Sequence, residues 1–228
     1  MRIYPFTQLG HARYAWLDAR YHFSFASYHH PQRMGFGKLR VINDDTIQPG
    51  KGFASHTHRD MEIITYVRQG AITHHDNKGN HGRIAAGNLQ VMRAGSGIEH
   101  SEYNLEETIT QLYQIWIEPS QKNTEPSWHS HGFPQIPVTK QLNLLASGDG
   151  KAPLYIQQQA WIYGGVLLAG CHLQHPIQQQ AYLLVSEGSI VLQGQKMTKG
   201  DGAEICKQSA ISITAKEQSE LLLIDVPE

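Results

Sequence analysis

The chain has 228 residues, enough for one large domain or for two of about 100 to 120 residues each. Its 40% hydrophobic and 17% charged residues can build a core, which argues against disorder. A net charge of −1, from 19 basic and 20 acidic residues, leaves no basic footprint for nucleic acid or an anionic membrane, and two cysteines are too few for a disulfide scaffold. No apolar run reaches the length of a membrane span, and Met1 to Pro5 does not open a signal peptide. The expectation is a soluble, cytoplasmic, monomeric protein. Histidine is the unusual entry, with 14 residues.

Short apolar or alternating segments recur between Gly, Asn, Asp and Pro, the pattern of an all-β chain. In chain order the expected strands are Lys38 to Asn43, Ile63 to Arg68, Ala71 to His75, Leu89 to Arg93 and Ile109 to Ile117. Turns are marked by Lys78-Gly79-Asn80, Gly87-Asn88 and Asn104. From Glu118 to Val138 the character changes: Pro119, Pro126, Pro134 and Pro137 among polar residues read as a linker or crossing arm. Beyond it come Trp161 to Leu168, Ala181 to Val185, Ser189 to Leu192, Ala203 to Cys206 and Leu221 to Asp225. No long stretch has 3.6-residue periodicity, so helices should be short and few.

The two halves echo each other. Tyr66-Val67-Arg68-Gln69-Gly70-Ala71-Ile72 resembles Leu184-Val185-Ser186-Glu187-Gly188-Ser189-Ile190, and a second glycine follows in each half, Gly87 and Gly200. An internal duplication of a β unit accounts for this.

Two triplets carry the chemistry: His56-Thr57-His58 and His100-Ser101-Glu102. In an extended strand, side chains at i and i+2 share a face, so each triplet aims two ligands the same way. Three imidazoles and a carboxylate suit a catalytic divalent metal with open positions, such as Fe(II), Mn(II), Ni(II), Cu(II) or Zn(II). A structural zinc site would more often be closed by cysteines, and none lies near. Gly95-Ser96-Gly97 provides a flexible turn that lets the second pair swing towards the first. Counted from the paired glycines, the second half offers Gln174, Pro176, Ile213 and Ala215 at the four positions, so a metal is expected in the first half only.

Other residues carry weaker signals. His74 and His75 face opposite ways on a hairpin strand and read as surface residues, His29-His30 and His129-x-His131 as solvated loop. Cys171 and Cys206 read as small apolar packing groups, and Asp44-Asp45 as a turn without a catalytic role.

The spacing Gly50-x5-His56-x-His58-x3-Glu62-x7-Gly70 resembles the first cupin motif, with one extra residue before the last glycine. Gly87-x7-Gly95-x4-His100-x3-Asn104 resembles the second, with Arg93 where proline is usual and a longer approach to the histidine. More specifically the chain resembles the pirin family, through Phe23-Ser24-Phe25-Ala26, Met34-Gly35-Phe36-Gly37, Leu39 to Asp45, His56-x-His58-Arg59-x2-Glu62 and Gly97-Ile98-x-His100-Ser101-Glu102. These segments cover most of the first half. The second half matches more loosely, and the length suits the short bacterial, quercetinase-like members.

The resemblance implies a bicupin, two antiparallel jelly-roll β-barrels. Residues 1–125 would form the metal-binding cupin domain, 126–139 a linker or crossing arm, and 140–228 a cupin-like domain without metal. It implies one metal, Fe(II) first, with Cu, Ni, Mn, Co or Zn as alternatives, on His56, His58, His100 and Glu102. Glu62 would act behind the ligands, orienting an imidazole, and Phe53 and Ile98 would line the pocket. The activity implied is cleavage of flavonols such as quercetin by dioxygen, with Glu102 as general base for the flavonol 3-hydroxyl and loss of carbon monoxide on ring opening. A non-enzymatic alternative is a metal- or redox-responsive protein that binds and regulates a protein partner.

Overall fold

The computed structural model describes residues 1–133 and 135–228, so Pro134 of the expected arm lies outside the described residues. Among the described residues every strand pairing is antiparallel, and the single helix is the three-residue 3-10 turn Phe6–Gln8. No helix is long and apolar enough to cross a membrane.

The chain divides into two compact units. One comprises residues 10–133 together with 153–158. Its larger sheet runs Ser127–Gly132, Asn88–Arg93, Glu62–Gln69, Thr110–Ile117, Leu39–Ile47, Leu17–Tyr21 and Gly10–Arg13 in spatial order. Its smaller sheet runs Gly52–His58, Ile98–Tyr103, Ala71–Asp76 and His81–Ala85. The inward residues of both sheets, among them Leu17, Ile47, Val67, Ile72, Ile84 and Leu112, form a common core. Each such aliphatic side chain contributes roughly 1.5–3 kcal/mol when fully buried. The unit is thus a two-sheet jelly roll, the fold expected for one half of a bicupin.

The other unit comprises residues 1–9, 135–152 and 159–228. Its larger sheet includes, in order, Arg2–Tyr4, Gly202–Ile205, Gln180–Glu187, Ser219–Val226, Trp161–Leu167 and Asn143–Ser147. The smaller is His172–Pro176, Ala210–Ala215, Ser189–Leu192 and Gln195–Thr198. Leu183, Ala203, Ile213, Ala215, Leu221 and Leu223 belong to its core.

The duplication is visible in the turns. Gly70 and Gly188 both have positive φ, 70° and 78°, and each leads from a long strand into the smaller sheet. A Cβ on Gly70 would meet Ile109 O at 2.8 Å, and one on Gly188 would clash in the same way with Gln218 O. Only glycine satisfies both the backbone angle and the close approach.

Three stretches differ from the sequence reading. The strand expected to stop at Asn43 continues as Leu39–Ile47, so Asp44-Asp45 is no turn. Asp44 is paired with Arg68, and Asp45 faces inward, which overrides the low strand propensity of aspartate. Within the expected arm, Ser127–Gly132 pairs with Asn88–Arg93 along its length, Trp128 opposite Met92. Residues 1–9 fall with the second unit, where Arg2–Tyr4 pairs with Gly202–Ile205.

Candidate metal centre

Both triplets lie on neighbouring strands of the smaller sheet of the first unit, Gly52–His58 and Ile98–Tyr103. Ile98 stands opposite His58 and His100 opposite His56, while a register shift after His100 sets Glu102 opposite Phe53. The three imidazole rings gather, with centroids 4.7 Å (His56 to His58), 4.5 Å (His56 to His100) and 5.0 Å (His58 to His100) apart. One nitrogen from each lies within 4.8 Å of the others.

Their hydrogen bonding leaves donor atoms free. His56 Nδ1 is 2.7 Å from the carbonyl oxygen of Ala54, so Nδ1–H donates and Nε2 keeps its lone pair. His100 Nε2 is buried without a hydrogen-bond partner. Burial, with His100 and His56 beside it, pushes the His58 pKa down to about 4. Burial, with His56 and His74 adding to it, pushes His100 down to about 3. Both rings are therefore neutral at physiological pH, the form that ligates a metal. A buried orphan nitrogen among converging neutral imidazoles fits a divalent transition metal.

Glu102 is 2% exposed and closely held. Its Oε1 accepts from Thr65 Oγ1 at 3.2 Å and from Gln90 Nε2, and its Oε2 accepts from Gln114 Nε2. Gln90 is oriented in turn by Trp128 Nε1–H, which donates to Gln90 Oε1 at 2.9 Å. A carboxylate has about four lone-pair sites, so three accepted bonds leave room for one further interaction.

Glu102 and the three imidazoles line one pocket. Phe25, Phe53, Ile63 and Trp116 supply its apolar walls, and Asn43, Asp45 and Gln114 its polar floor. Asp45 is 2% exposed, and its Oδ1 has no hydrogen-bond partner. Burial, then the neighbouring Asp44 and Glu102, raise its pKa well above the ordinary carboxylate value against the opposing effect of Arg68. That shift favours a protonated acid able to donate a hydrogen bond into the pocket.

Of the two expected lining residues, Phe53 is in this pocket. Ile98 instead packs with Ile63, Met92 and Ala94 and borders a separate shallow groove. Glu62 does not orient an imidazole. Its Oε2 accepts from the Gln157 backbone N–H at 2.9 Å, and its Oε1 lies 3.6 Å from Arg93 Nε. Strand alternation is the reason: Ile63 and Thr65 face the pocket, so Glu62 faces the other way. Burial raises its pKa to about 7, against the Gln157 hydrogen bond and Arg93.

His74 is the largest departure, since it is fully buried, not exposed. Its ring stacks on Trp128 at 5.1 Å and lies 5.3 Å from His100. On the strand Ala71–Asp76 it shares the face of the core residue Ile72, and that parity is the signal by which it could have been found. The same signal marks Asn43 and Asp45, two and four residues after buried Val41. His75 is exposed, as are His29, His30, His129 and His131. Cys171 packs against the second core, but Cys206 is exposed.

At the second unit's expected empty positions, Ile213 and Ala215 are core residues while Gln174 and Pro176 are exposed. Among the described residues, the groups of side chains able to hold a metal all lie in the first unit.

Comparison with known proteins gives a consistent picture. The family model Pirin matches residues 5–117, and the model Quercetinase C-terminal cupin domain matches residues 144–226. A pirin-like protein of Caulobacter vibrioides is 48% identical over 225 residues, covering 97% of each chain. A quercetin 2,3-dioxygenase of Escherichia coli is 42% identical over 221 residues, covering 96% of this chain and 95% of that one. The crystal structure of the bacterial pirin YhhW of Escherichia coli in complex with nickel(II) superposes with a TM-score of 0.91 at 40% identity, covering 99% of both chains.

Proposed function

This chain belongs to the pirin family, with its bicupin fold, and on that premise we propose that it is a dioxygenase cleaving flavonols such as quercetin with O2. The metal would be iron(II), held by His56, His58, His100 and Glu102. The observation that carries this reading is the convergence of three imidazoles at a pocket that also contains a buried carboxylate and aromatic walls.

When bound, the metal supplies a Lewis acid with open positions for the flavonol 3-hydroxyl oxygen and for dioxygen. The remaining work falls to the protein. Phe25, Phe53 and Trp116 present apolar surface to a flat aromatic substrate and keep the site dry. Asp45, Asn43 and Gln114 offer hydrogen bonds to its ring hydroxyls. Glu102 takes the 3-hydroxyl proton on a carboxylate oxygen that the Gln90 and Gln114 amides hold in place. With one lone-pair site left, Glu102 would serve metal coordination and the proton in turn. Loss of that proton leaves an electron-rich ring that adds dioxygen and opens with release of carbon monoxide.

The test is consumption of quercetin by iron(II)-loaded protein, followed at the visible absorption band of the flavonol. Wild type turns over, and a folded His58→Ala variant does not. Turnover by wild type no faster than by the same concentration of free metal overturns the proposal.

A further inference from the structure

A line of buried side chains runs from a hairpin turn to His100. Asp76 Oδ2 lies 3.0 Å from His74 Nε2, and both side chains are fully buried. His74 Nδ1 in turn lies 3.4 Å from His100 Nδ1. A carboxylate accepts hydrogen bonds and does not donate them, so His74 carries its proton on Nε2 and presents a lone pair at Nδ1. His100 Nδ1–H donates to that lone pair, which leaves the other His100 nitrogen, the unpartnered Nε2, as the atom available to a metal.

Each link is held from outside. Asp76 Oδ1 accepts from the backbone N–H groups of Lys78 and Asn80 at 2.9 and 3.0 Å, which anchors it to the turn. The His74 ring lies nearly parallel to Trp128, at 14°. The same indole donates to Gln90, which holds Glu102. One tryptophan therefore braces both metal-facing side chains of the strand Ile98–Tyr103.

We propose that His74 is a positioning residue of the metal centre, accepting the hydrogen bond that fixes the tautomer and orientation of His100, with Asp76 fixing His74 in the same way. This rests on the metal reading above. A competing role exists, because nitrogens of His74 and His100 and a carboxylate oxygen of Glu102 also lie within 4.8 Å of one another and could hold a second ion. His100 cannot offer Nδ1 to a second ion while donating Nδ1–H to His74, and the one lone-pair site left on Glu102 is used in the metal reading above, so the geometry argues for the positioning role.

Two variants separate these roles. His74→Phe keeps an aromatic ring against Trp128 and deletes the acceptor. His74→Asn places an amide oxygen near the position of Nδ1 and restores it. Nickel(II) binding to the full chain, measured by calorimetry, should weaken by about 10- to 100-fold in H74F, the usual cost of losing an outer partner of a ligand. H74N should recover most of that loss, with one equivalent bound throughout. Equal losses in both variants, or no loss in H74F, overturn the positioning role. Two equivalents in wild type and one in H74F assign His74 to a second ion instead. Failure of wild type to bind nickel(II) removes the metal reading itself, a separate outcome. Long-range 1H–15N spectra of the wild-type imidazoles add a check that needs no variant. His74 protonated at Nε2 and His100 at Nδ1 are expected, and the opposite tautomers contradict the proposal.

Discussion

The two units share a sheet plan but fill its interior in opposite ways. Five residues before the turn glycine stands Thr65 in one unit and Leu183 in the other. Thr65 is flanked across the ladders by Gln90 and Gln114, and Leu183 by Ala203 and Leu223. In the first unit these three polar residues converge on Glu102. In the second the three apolar ones join a core with Ile211, Ile213 and Ala215. Losing the ligands alone does not make a metal-free jelly roll. The polar bed that holds the buried carboxylate has to go with them, because an unpartnered buried carboxylate is costly.

That contrast can be broken first at the carboxylate. Glu102→Gln keeps the shape but removes the proton acceptor, so flavonol turnover should fall by about 10²- to 10⁴-fold in a folded protein. Steady-state assays of metal-loaded enzyme check this, and activity within threefold of wild type would remove Glu102 as the base.

The second test gives the first unit the interior of the second. Thr65→Leu, Gln90→Ala and Gln114→Leu together strip the donors from Glu102 and should destabilise the protein by at least about 3 kcal/mol in urea unfolding. Adding Glu102→Leu should recover most of that loss in a protein that no longer binds metal tightly. If the fourth substitution recovers nothing, the bed does not serve the carboxylate.

A third test compares the acids buried away from the pocket. Glu62 has its pKa raised to about 7 from 4.5, mainly by burial, and Asp225 in the second unit is raised to about 6 from 3.8 for the same reason. A raised folded-state value means that stability is fully present below the unfolded pKa and is lost as pH rises through the folded one. Unfolding free energy should therefore fall between pH 4.5 and 7 by about 3 kcal/mol from Glu62, and Glu62→Gln should flatten that window. Asp225→Asn should act at the lower window, between 3.8 and 6. Identical pH profiles in wild type and both variants would contradict these assignments.

The smallest effect is expected on the strand Ser127–Gly132, whose exposed histidines have the same i, i+2 spacing as the ligands. His129→Ala with His131→Ala should leave nickel(II) stoichiometry at one, whereas a drop would give the pair a share in binding.

Much of this was legible in the sequence, for reasons of range. His56 and His58, like His100 and Glu102, are two apart, and strand geometry alone puts such pairs on one face. The repeat of Gly70 and Gly188 likewise needs only local turn chemistry to read. What escaped depends on register between distant strands. Gln90, Gln114 and Trp128 hold Glu102 and His74 only because three strands bring them there, and Trp128 sits in a proline-flanked stretch that reads as linker. Glu62 fits the motif spacing but points away from the imidazoles, because strand parity puts it on the face opposite Ile63 and Thr65. His74 and Asp45 share the parity of buried neighbours, yet polar residues in strands are usually on the wet face, so the rule points the wrong way at a polar interior.

The most direct test of the central claim is the gas released. Iron(II)-loaded wild type given quercetin in air should release one carbon monoxide per flavonol consumed, and the His58→Ala protein should release none above free metal. Quercetin loss without carbon monoxide, or equal release by the variant, would contradict a flavonol dioxygenase built on His56, His58, His100 and Glu102.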